Sequence, residues 1–512
     1  MINKILNLKN SNHINCYLNL ICLLAGFSLV FSFSPYSFSF IAFISIAILF
    51  FIIDISLPKK AFIRGYLFGL GLFGYGISWV YVSLTSLGDS PVWLSIIITI
   101  LFIGLISIFP AIFAYFSAKI FAKSKTRTLL IFPAFWILVE IMRGWIFTGF
   151  PWLSLGYSQT NTLLGSYAKI GSVSLVSIIV CLVSALIVLI FQIKYRYCKI
   201  LPIIAISLLF LGGWILGKQN FVYDTHQSRE VLLIQGNIKQ TDKWDAQKTM
   251  SILNTYYDLT EANIKDNMLV FWPENAIPLF PYQVKSYLNV VDKLAEDHHA
   301  SILIGLPILN RKTKQYYNGA TVIGYGYGTY LKHLLVPFGE YFPMQWLTKP
   351  FVKMMNVPMS SFTPGPEIQP TLKMGKINVS VLICYESAFP TQVRKNIQNA
   401  QLLVTLSDDA WFGHTIGSAQ HLEMARMRAI ETGRYVVQAT NNGTTAIINN
   451  KGEVTNTIPQ FTRGALSGKV YLISGETPWL RYGMPPIFML IFLMIIIKIV
   501  YKHPFATKHK KQ

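Results

Sequence analysis

Long apolar runs alternate with short polar patches through the first 217 residues and again after residue 483. A helix needs about 20 mostly apolar residues to cross a bilayer, and the chain therefore predicts eight membrane-spanning helices. They are expected at 14–33, 37–57, 62–85, 91–118, 128–147, 167–193, 200–217 and 485–502. The first segment follows Lys4 and Lys9, as in a signal peptide, but no small-residue cleavage pattern comes after it. We therefore expect it to be retained as a membrane anchor.

The loops between these segments differ in charge. Lys and Arg lie before the first segment, after the second, fourth and sixth, and after the last, whereas the alternate loops near 34–36, 86–90 and 148–166 contain neither. Short cytoplasmic loops are the ones that carry Lys and Arg in membrane proteins. The pattern predicts that both termini are cytoplasmic and that the region after the seventh segment lies in the periplasm of a bacterial inner-membrane protein.

That region has the pattern of a globular domain and contains 20 of the 23 acidic residues. Helical periodicity at 246–265, 285–299 and 418–433 alternates with short apolar, β-branched strands, which is typical of α/β layers. The strands are predicted at 231–235, 268–272, 302–306, 321–324, 379–383, 402–406, 436–440 and 445–448. We divide the chain into a membrane domain (1–217), an inserted globular domain (218–483), and a last helix with a basic tail (484–512).

Composition agrees with this division. The chain is 53% hydrophobic and 13% charged, whereas soluble proteins average about 25% charged residues. The net charge of +21 would suggest a nucleic-acid partner in a soluble protein. Here, much of the excess marks cytoplasmic loops and the tail, so no nucleic-acid partner is needed.

Three polar residues follow predicted strands or their neighbouring loops, where α/β active sites commonly lie: Glu274, Lys332 and Cys384. Separately, each has an ordinary structural interpretation, since a lone cysteine after a strand is usually a small buried hydrophobe. Together they supply a base for a thiol proton, a cation for an oxyanion, and a nucleophile for a carbonyl carbon.

This set of residues resembles the nitrilase superfamily of carbon-nitrogen hydrolases, which carries a Glu-Lys-Cys triad in this order on an αββα sandwich. With the predicted membrane helices, the whole chain resembles the apolipoprotein N-acyltransferase family. The matching motifs include Trp-Pro-Glu (272–274), Val-Pro-Phe-Gly-Glu-Tyr (336–341), Cys-Tyr-Glu (384–386) and Met-Ala-Arg-Met-Arg-Ala (424–429).

The resemblance implies a role for each matching residue. Glu274 corresponds to the general base, Lys332 to the oxyanion-stabilising cation and Cys384 to the nucleophile. The further residues that it implies are Glu340, Tyr385, Glu386 and the substrate-proximal Trp244. Where the family usually carries a basic or imidazole side chain two positions after the lysine, this chain has Leu334.

The resemblance also implies the reaction. A fatty acyl chain would pass from a phospholipid to Cys384 as a thioester, and then to the α-amino group of the diacylglyceryl-modified N-terminal cysteine of an apolipoprotein. The implied partners are the phospholipid, the apolipoprotein and the bilayer, with neither a cofactor nor a metal, and we expect a monomer.

Two other functions remain open from the residues alone. A membrane-tethered amidase or nitrilase would use the same triad with water as the acceptor. A transporter would need charged or broken midplane helices in paired repeats, and only Glu140 and Arg143 form an ionisable pair within a predicted span. A metal site built from His414, His421 and the Asp408–Asp409 pair fits no common ligand spacing.

An apolar stretch between residues 341 and 362 follows the segment that contains Lys332. Soluble domains rarely expose such a patch, and in a membrane context we interpret it as a lid that touches lipid. Its candidate lipid-contacting residues are Phe342, Trp346, Met354 and Met355.

Overall fold

The computed structural model describes residues 12–87, 91–341 and 361–500. The chain forms two compact units. The helical unit consists of Met1–Ser78, Ile97–Gln219 and Met484–Gln512, and the α/β unit consists of Trp79–Ile96 and Asn220–Gly483.

Apolar helices account for each of the segments predicted to cross the membrane. Their bounds are Asn12–Leu29, Phe40–Asp54, Pro58–Gly76, Trp79–Leu87, Val92–Ile106, Ile108–Ile120, Phe132–Arg143, Ala168–Gln192, Ile200–Lys218 and Pro485–Val500. In the described part of the chain, four helical stretches are long and apolar enough to span a bilayer, or five if one bent pair counts as a single span. The chain therefore has several apolar helices of membrane type, and the count of eight spans stays a prediction.

The bent pair lies within the predicted span 62–85. Helix Pro58–Gly76 and the following helix, up to Thr85, meet at 53°. The apolar pattern continues across the break, so sequence periodicity gave no sign of it. The break also separates the two units, because Trp79 begins the segment that belongs to the α/β unit.

Helices in the helical unit approach one another closely at glycine. A Cβ on Gly26 would lie 2.0 Å from the carbonyl oxygen of Phe68, and one on Gly71 would lie 2.1 Å from that of Leu23. Helices Asn12–Leu29 and Pro58–Gly76 therefore pack backbone to backbone. Small residues at such crossings are typical of membrane helices, whose association depends on close van der Waals contact.

The α/β unit contains two mixed sheets. The strands are β1 Val222–Gln235, β2 Leu269–Phe271, β3 Ser301–Leu309, β4 Tyr316–Gly324, β5 Gly326–Tyr327, β6 Thr329–Leu331, β7 Leu372–Met374, β8 Ile377–Ile383, β9 Leu402–Ser407, β10 Val436–Thr440, β11 Thr445–Ile448, β12 Val454–Ile458 and β13 Gly464–Gly475. In the six-stranded sheet the order is β13-β1-β2-β3-β4-β6, and in the seven-stranded sheet it is β12-β11-β10-β9-β8-β7-β5.

Alternate side chains of the central strands point to opposite faces of each sheet. Leu233 and Phe271 of one sheet and Val381 and Val404 of the other share one buried cluster, so the two sheets pack face to face. The opposite faces are covered by helices. Thr249–Glu261 and Lys285–Asp297 cover the six-stranded sheet, and Pro390–Ile397 and Gly417–Thr432 cover the seven-stranded sheet. This is the expected αββα sandwich.

The eight predicted strands correspond to the C-terminal part of β1 and to β2, β3, β4, β8, β9, β10 and β11. The pattern predicted neither β12 nor β13, because their exposed, polar side chains weaken the apolar signal, nor the short strands β5, β6 and β7. Strands β1, β2 and β3 run parallel to one another, as do β8, β9 and β10. Their carboxyl ends carry the polar residues that form the site.

Candidate active site

Cys384 directly follows β8 and begins a short 3-10 turn, Cys384–Ala388. Its φ of 52° lies in the left-handed region, which a non-glycine residue adopts only when the surrounding structure enforces it. The side chain is buried, at 8% exposure. Such a sharp strand-to-turn transition presents the thiol at the end of the sheet.

Glu274, Lys332 and Glu340 form one buried cluster. The Lys332 Nζ lies 3.2 Å from Glu274 Oε1 and 2.9 Å from Glu340 Oε2. The Asn318 side-chain amide on β4 donates to both carboxylates at 2.7 Å. The backbone N–H of Asp408 donates to Glu274 Oε2 at 2.9 Å. With the N–H of Val336, which donates to Glu340 Oε2 at 2.8 Å, one cation and four N–H donations fix the orientation of the two carboxylates.

The charges in this cluster determine its resting protonation. Burial alone would raise the pKa of Glu274, but Lys332, the Asn318 amide and nearby Lys243 hold it below its usual value of 4.5. Burial would lower the pKa of Lys332, but Glu274 and Glu340 raise it above 10.5. Burial, with Glu274, raises the pKa of Cys384 well above 9.0, while Lys332 opposes the rise. The resting site therefore holds a thiol beside an ionised carboxylate.

Glu386 connects the Cys384 turn to the segment after Lys332. Its Oε2 accepts from the N–H of Ile383 at 2.8 Å, and its Oε1 accepts from the N–H groups of His333 and Leu334 at 2.8 and 3.2 Å. The Leu334 contact uses only the main chain, so the departure from the family pattern at this position leaves it intact. Burial raises the pKa of Glu386.

Other predicted residues lie nearby. Tyr385 is buried with its ring edge-on to Phe389, at a centroid distance of 5.0 Å. Trp244 is partly buried and directly follows Lys243. The four lid candidates Phe342, Trp346, Met354 and Met355 lie outside the described residues.

Sequence reasoning missed the role of Lys243. Its buried ammonium forms an ion pair with Asp408 and donates to the carbonyl oxygen of Glu274 at 3.1 Å. Asn441 also donates to Asp408, at 3.1 Å. In the sequence, the only signal for these contacts was that Asp408 and Asn441 each follow a predicted strand. The position of Lys243 along the chain gave no sign that it would join them.

A second missed pair is His421 with Asp409, which the sequence analysis weighed only as metal ligands. His421 Nδ1 lies 3.1 Å from Asp409 Oδ1, and its Nε2 lies 3.1 Å from the carbonyl oxygen of Cys384. Among the described residues, no group of three or more His, Cys, Asp or Glu side chains is arranged to hold a metal ion. The His414 ring instead lies against Phe461, tilted by 33° at a centroid distance of 3.9 Å, and it lines a cavity of about 400 Å³.

Glu140 and Arg143, the ionisable pair noted within a predicted span, both contact the loop that follows their helix. Glu140 accepts from the N–H of Leu155 at 2.8 Å and from the indole of Trp136 at 2.9 Å. Arg143 donates to the carbonyl oxygens of Phe150, at 2.7 Å, and Trp152. These contacts give both residues a structural role in fixing the loop and do not favour the transporter alternative.

Two family models match the chain. One, described as apolipoprotein N-acyltransferase N-terminal domain, matches residues 25–186, and the other, described as carbon-nitrogen hydrolase, matches residues 231–474. Together with the αββα fold, they define the class: a carbon-nitrogen hydrolase domain in one chain with an apolar helical domain.

Full-length relatives make the assignment narrower. The chain is 40% identical over 482 residues to the apolipoprotein N-acyltransferase of Coxiella burnetii, covering 94% of this chain and 99% of that protein. It is 36% identical over 485 residues to the apolipoprotein N-acyltransferase of Pseudomonas putida, covering 93% and 95%. The chain belongs to the apolipoprotein N-acyltransferase family, and with its apolar helices it is a bacterial membrane protein.

Proposed function

We propose that the protein transfers a fatty acyl chain from a phospholipid to the α-amino group of the diacylglyceryl-modified N-terminal cysteine of apolipoproteins. The observation that carries the proposal is the buried cluster of Glu274, Lys332 and Glu340 at the strand ends beside Cys384. Relatives that match almost the whole chain bear the name of this activity.

In the first half-reaction, Glu274 takes the thiol proton as the Cys384 sulfur attacks the ester carbonyl of the phospholipid. An S–C bond forms, and the resulting oxyanion is stabilised by Lys332. An ammonium has three N–H donors, and two of them point to Glu274 and Glu340. Among the described residues, the third N–H donor has no acceptor, so it is available to the oxyanion. The ester C–O bond then breaks, and the proton on Glu274 passes to the departing lysophospholipid oxygen.

In the second half-reaction, the acceptor amine attacks the thioester. Glu274 takes a proton from the nitrogen, an N–C bond forms and the C–S bond breaks. The proton returns to the Cys384 sulfur, which restores the thiol. Exchange of a thioester for an amide is downhill, so the acyl group moves in one direction.

The membrane arrangement forms part of the same proposal. Eight spans would place both termini in the cytoplasm and the α/β unit in the periplasm of the inner membrane, where the protein would act as a monomer. The charge difference between alternate loops supports this topology. The lid residues between 341 and 362 would then touch the lipid substrates.

Intact-mass measurement of the purified protein with phospholipid tests the proposal. We expect an adduct of one fatty acyl mass on the wild type and on Cys198→Ala, a variant of a half-buried cysteine elsewhere in the chain, and none on Cys384→Ala. Absence of the adduct from the wild type would refute the proposal.

Addition of a diacylated lipopeptide separates acyl transfer from hydrolysis. We expect the adduct to disappear with formation of an N-acylated lipopeptide. If free fatty acid is instead released as fast as the adduct disappears, and the lipopeptide stays unmodified, the result would favour a carbon-nitrogen hydrolase that uses water as the acceptor.

A further inference from the structure

A buried histidine lies beneath the nucleophile and has no part in the two half-reactions. His421, on helix Gly417–Thr432, is 1% exposed. Its Nε2 lies 3.1 Å from the Cys384 carbonyl oxygen and 2.8 Å from Ser387 Oγ. Its Nδ1 lies 3.1 Å from Asp409 Oδ1.

The partners of the ring determine where its protons lie. A carbonyl oxygen can only accept a hydrogen bond, so Nε2 carries a proton toward Cys384. Asp409 accepts from Ser407 Oγ at 2.6 Å and from Ser418 Oγ at 2.8 Å, which marks it as an ionised acceptor for Nδ1–H as well. With both nitrogens protonated, His421 and Asp409 form a buried imidazolium–carboxylate pair.

The acid–base properties of the two groups agree with this arrangement. Burial would lower the pKa of His421, but Asp409, the Cys384 carbonyl and, more weakly, Glu274 raise it above 6.5. Burial would raise the pKa of Asp409, but His421 and the two serine hydroxyls hold it below 3.8.

The contact with the carbonyl matters because Cys384 has a φ of 52°. A non-glycine residue in this conformation needs its peptide groups held from outside. The Cys384 carbonyl accepts from Ser387 Oγ at 3.0 Å in addition to His421. We propose that His421, oriented by Asp409, is a positioning residue that holds the Cys384 carbonyl and so keeps the strained turn that presents the thiol to the acyl donor.

The close packing of Gly443 against Asp409 indicates that the position of the Asp409 carboxylate is fixed by its surroundings. A Cβ on Gly443 would lie 2.2 Å from Asp409 Oδ2 and 2.5 Å from Asp409 Cβ. Only a glycine at this position leaves the carboxylate where it meets Nδ1. This offers a way to displace Asp409 without changing either charged residue.

The proposal rests on the proposed function for its kinetic test, which compares two substitutions of His421 in the full-length protein. Phe fills the ring volume without a donor, whereas Gln can place an amide N–H close to the position of Nε2. We expect His421→Phe to slow acyl-enzyme formation by about 100-fold with the KM for phospholipid unchanged, because misplacement of a reacting group acts on the chemical step. His421→Gln should recover most of the lost rate.

The matched control is Thr432→Val on the same helix. Thr432 is fully buried, and its hydroxyl donates to the Arg428 carbonyl oxygen at 2.8 Å and accepts from the Arg434 N–H at 3.4 Å, so this variant also removes buried hydrogen bonds. We expect its acyl-enzyme rate to equal that of the wild type. Equal rates for His421→Phe and His421→Gln, whether both near wild type or both equally slow, would overturn the proposal because the donor would then not matter.

Two further measurements keep the test decisive. If His421→Phe does not fold, Gly443→Ala replaces it: a slowed acyl-enzyme rate supports the proposal, and an unchanged rate overturns it. Alkylation of Cys384 by iodoacetamide, followed at that peptide by mass spectrometry, is independent of lipid chemistry. The alkylation rate should fall in His421→Phe and recover in His421→Gln, whether or not the wild type forms an acyl-enzyme. If the wild type forms no acyl-enzyme but the alkylation rates differ in this way, only the proposed function is refuted.

Discussion

Two buried charge clusters, one in each unit, are composed differently. In the helical unit, Arg127 Nη2 lies 2.6 Å from Asp54 Oδ1 and also donates to the Asp54 carbonyl oxygen at 2.9 Å. This pair is balanced, with one buried cation for one buried carboxylate. In the α/β unit, one ammonium, Lys332, lies between two carboxylates, Glu274 and Glu340.

The difference shows which buried charges can take part in chemistry. A balanced pair compensates the desolvation of both groups and gains nothing from another proton. A cluster with two carboxylates for one ammonium can accept one more positive charge, and the proton of the Cys384 thiol supplies it. We therefore propose that the charge ratio distinguishes this structural pair from the candidate catalytic cluster, and four changes test that distinction.

The largest effect is expected from Lys332→Met. It leaves two carboxylates close together without a cation and removes the oxyanion donor, so we expect acyl-enzyme formation to fall by about 1000-fold. The melting temperature should also fall. Single-turnover intact mass gives the rate, with Lys395→Met as the control because Lys395 and its partner Glu367 are largely exposed. A variant within tenfold of the wild-type rate would rule out this role for Lys332.

Next is Arg127→Met in the helical unit. It leaves buried Asp54 without its buried cation, with only the exposed Lys123 ammonium 3.6 Å away, and we expect a loss of about 3–5 kcal/mol in the free energy of unfolding. The rate per folded molecule should stay as in the wild type, because the pair is structural. Thermal melting in detergent measures the loss, and Lys123→Met, whose side chain is 53% exposed, should lose less than about 1 kcal/mol. A kinetic defect in folded Arg127→Met would remove the contrast between the units.

A smaller effect is expected from Gly305→Ala, which shifts the catalytic cluster without changing its charge. The added Cβ would lie 2.3 Å from the Pro273 carbonyl oxygen and 2.8 Å from Glu274 Cα. Displacing the base should lower kcat by about 100-fold. Gly464→Ala is the control, since its Cβ would meet nothing closer than 3.7 Å. If kcat is unchanged, the exact position of Glu274 does not limit the rate.

The smallest effect concerns pH. Because the pKa of Glu274 is held below 4.5, its contribution to stability is present above pH 4.5 and is lost as the pH falls through the lowered pKa. Each unit of that lowering corresponds to about 1.4 kcal/mol. Melting temperatures between pH 3 and pH 7 should therefore fall less steeply in Glu274→Gln than in the wild type or in Glu296→Gln, an exposed control. Parallel curves for all three would contradict the lowered pKa.

The sequence predicted most of the α/β layers and the three principal site residues. Glu274 and Cys384 were found because each follows a buried strand, and their roles came from the resemblance. The contacts of Lys243 and His421 were not predicted, because Lys243 lies 165 residues from Asp408 and His421 lies 37 residues from Cys384. Only the packing of helices on the two sheets brings such residues to the strand ends.

The break after Gly76 was missed for a different reason. An apolar pattern records burial or contact with lipid, and both halves of the bent pair satisfy it. The direction of the backbone depends on which surface each half packs against, and a hydropathy pattern does not contain that information.

That break also limits how the protein can be divided. In the α/β unit, Ser83 donates to the Trp411 carbonyl oxygen at 2.7 Å, and the Trp79 ring meets Phe412 edge-on at 4.9 Å. Trp411 and Phe412 follow the Asp408–Asp409 pair of the candidate active site after one residue, Ala410. A fragment that begins at residue 220 would lack both contacts and would expose Phe412. The catalytic domain is thus completed by residues translated about 140 positions before its first strand, and an excised domain would need the peptide 79–96 added back in trans.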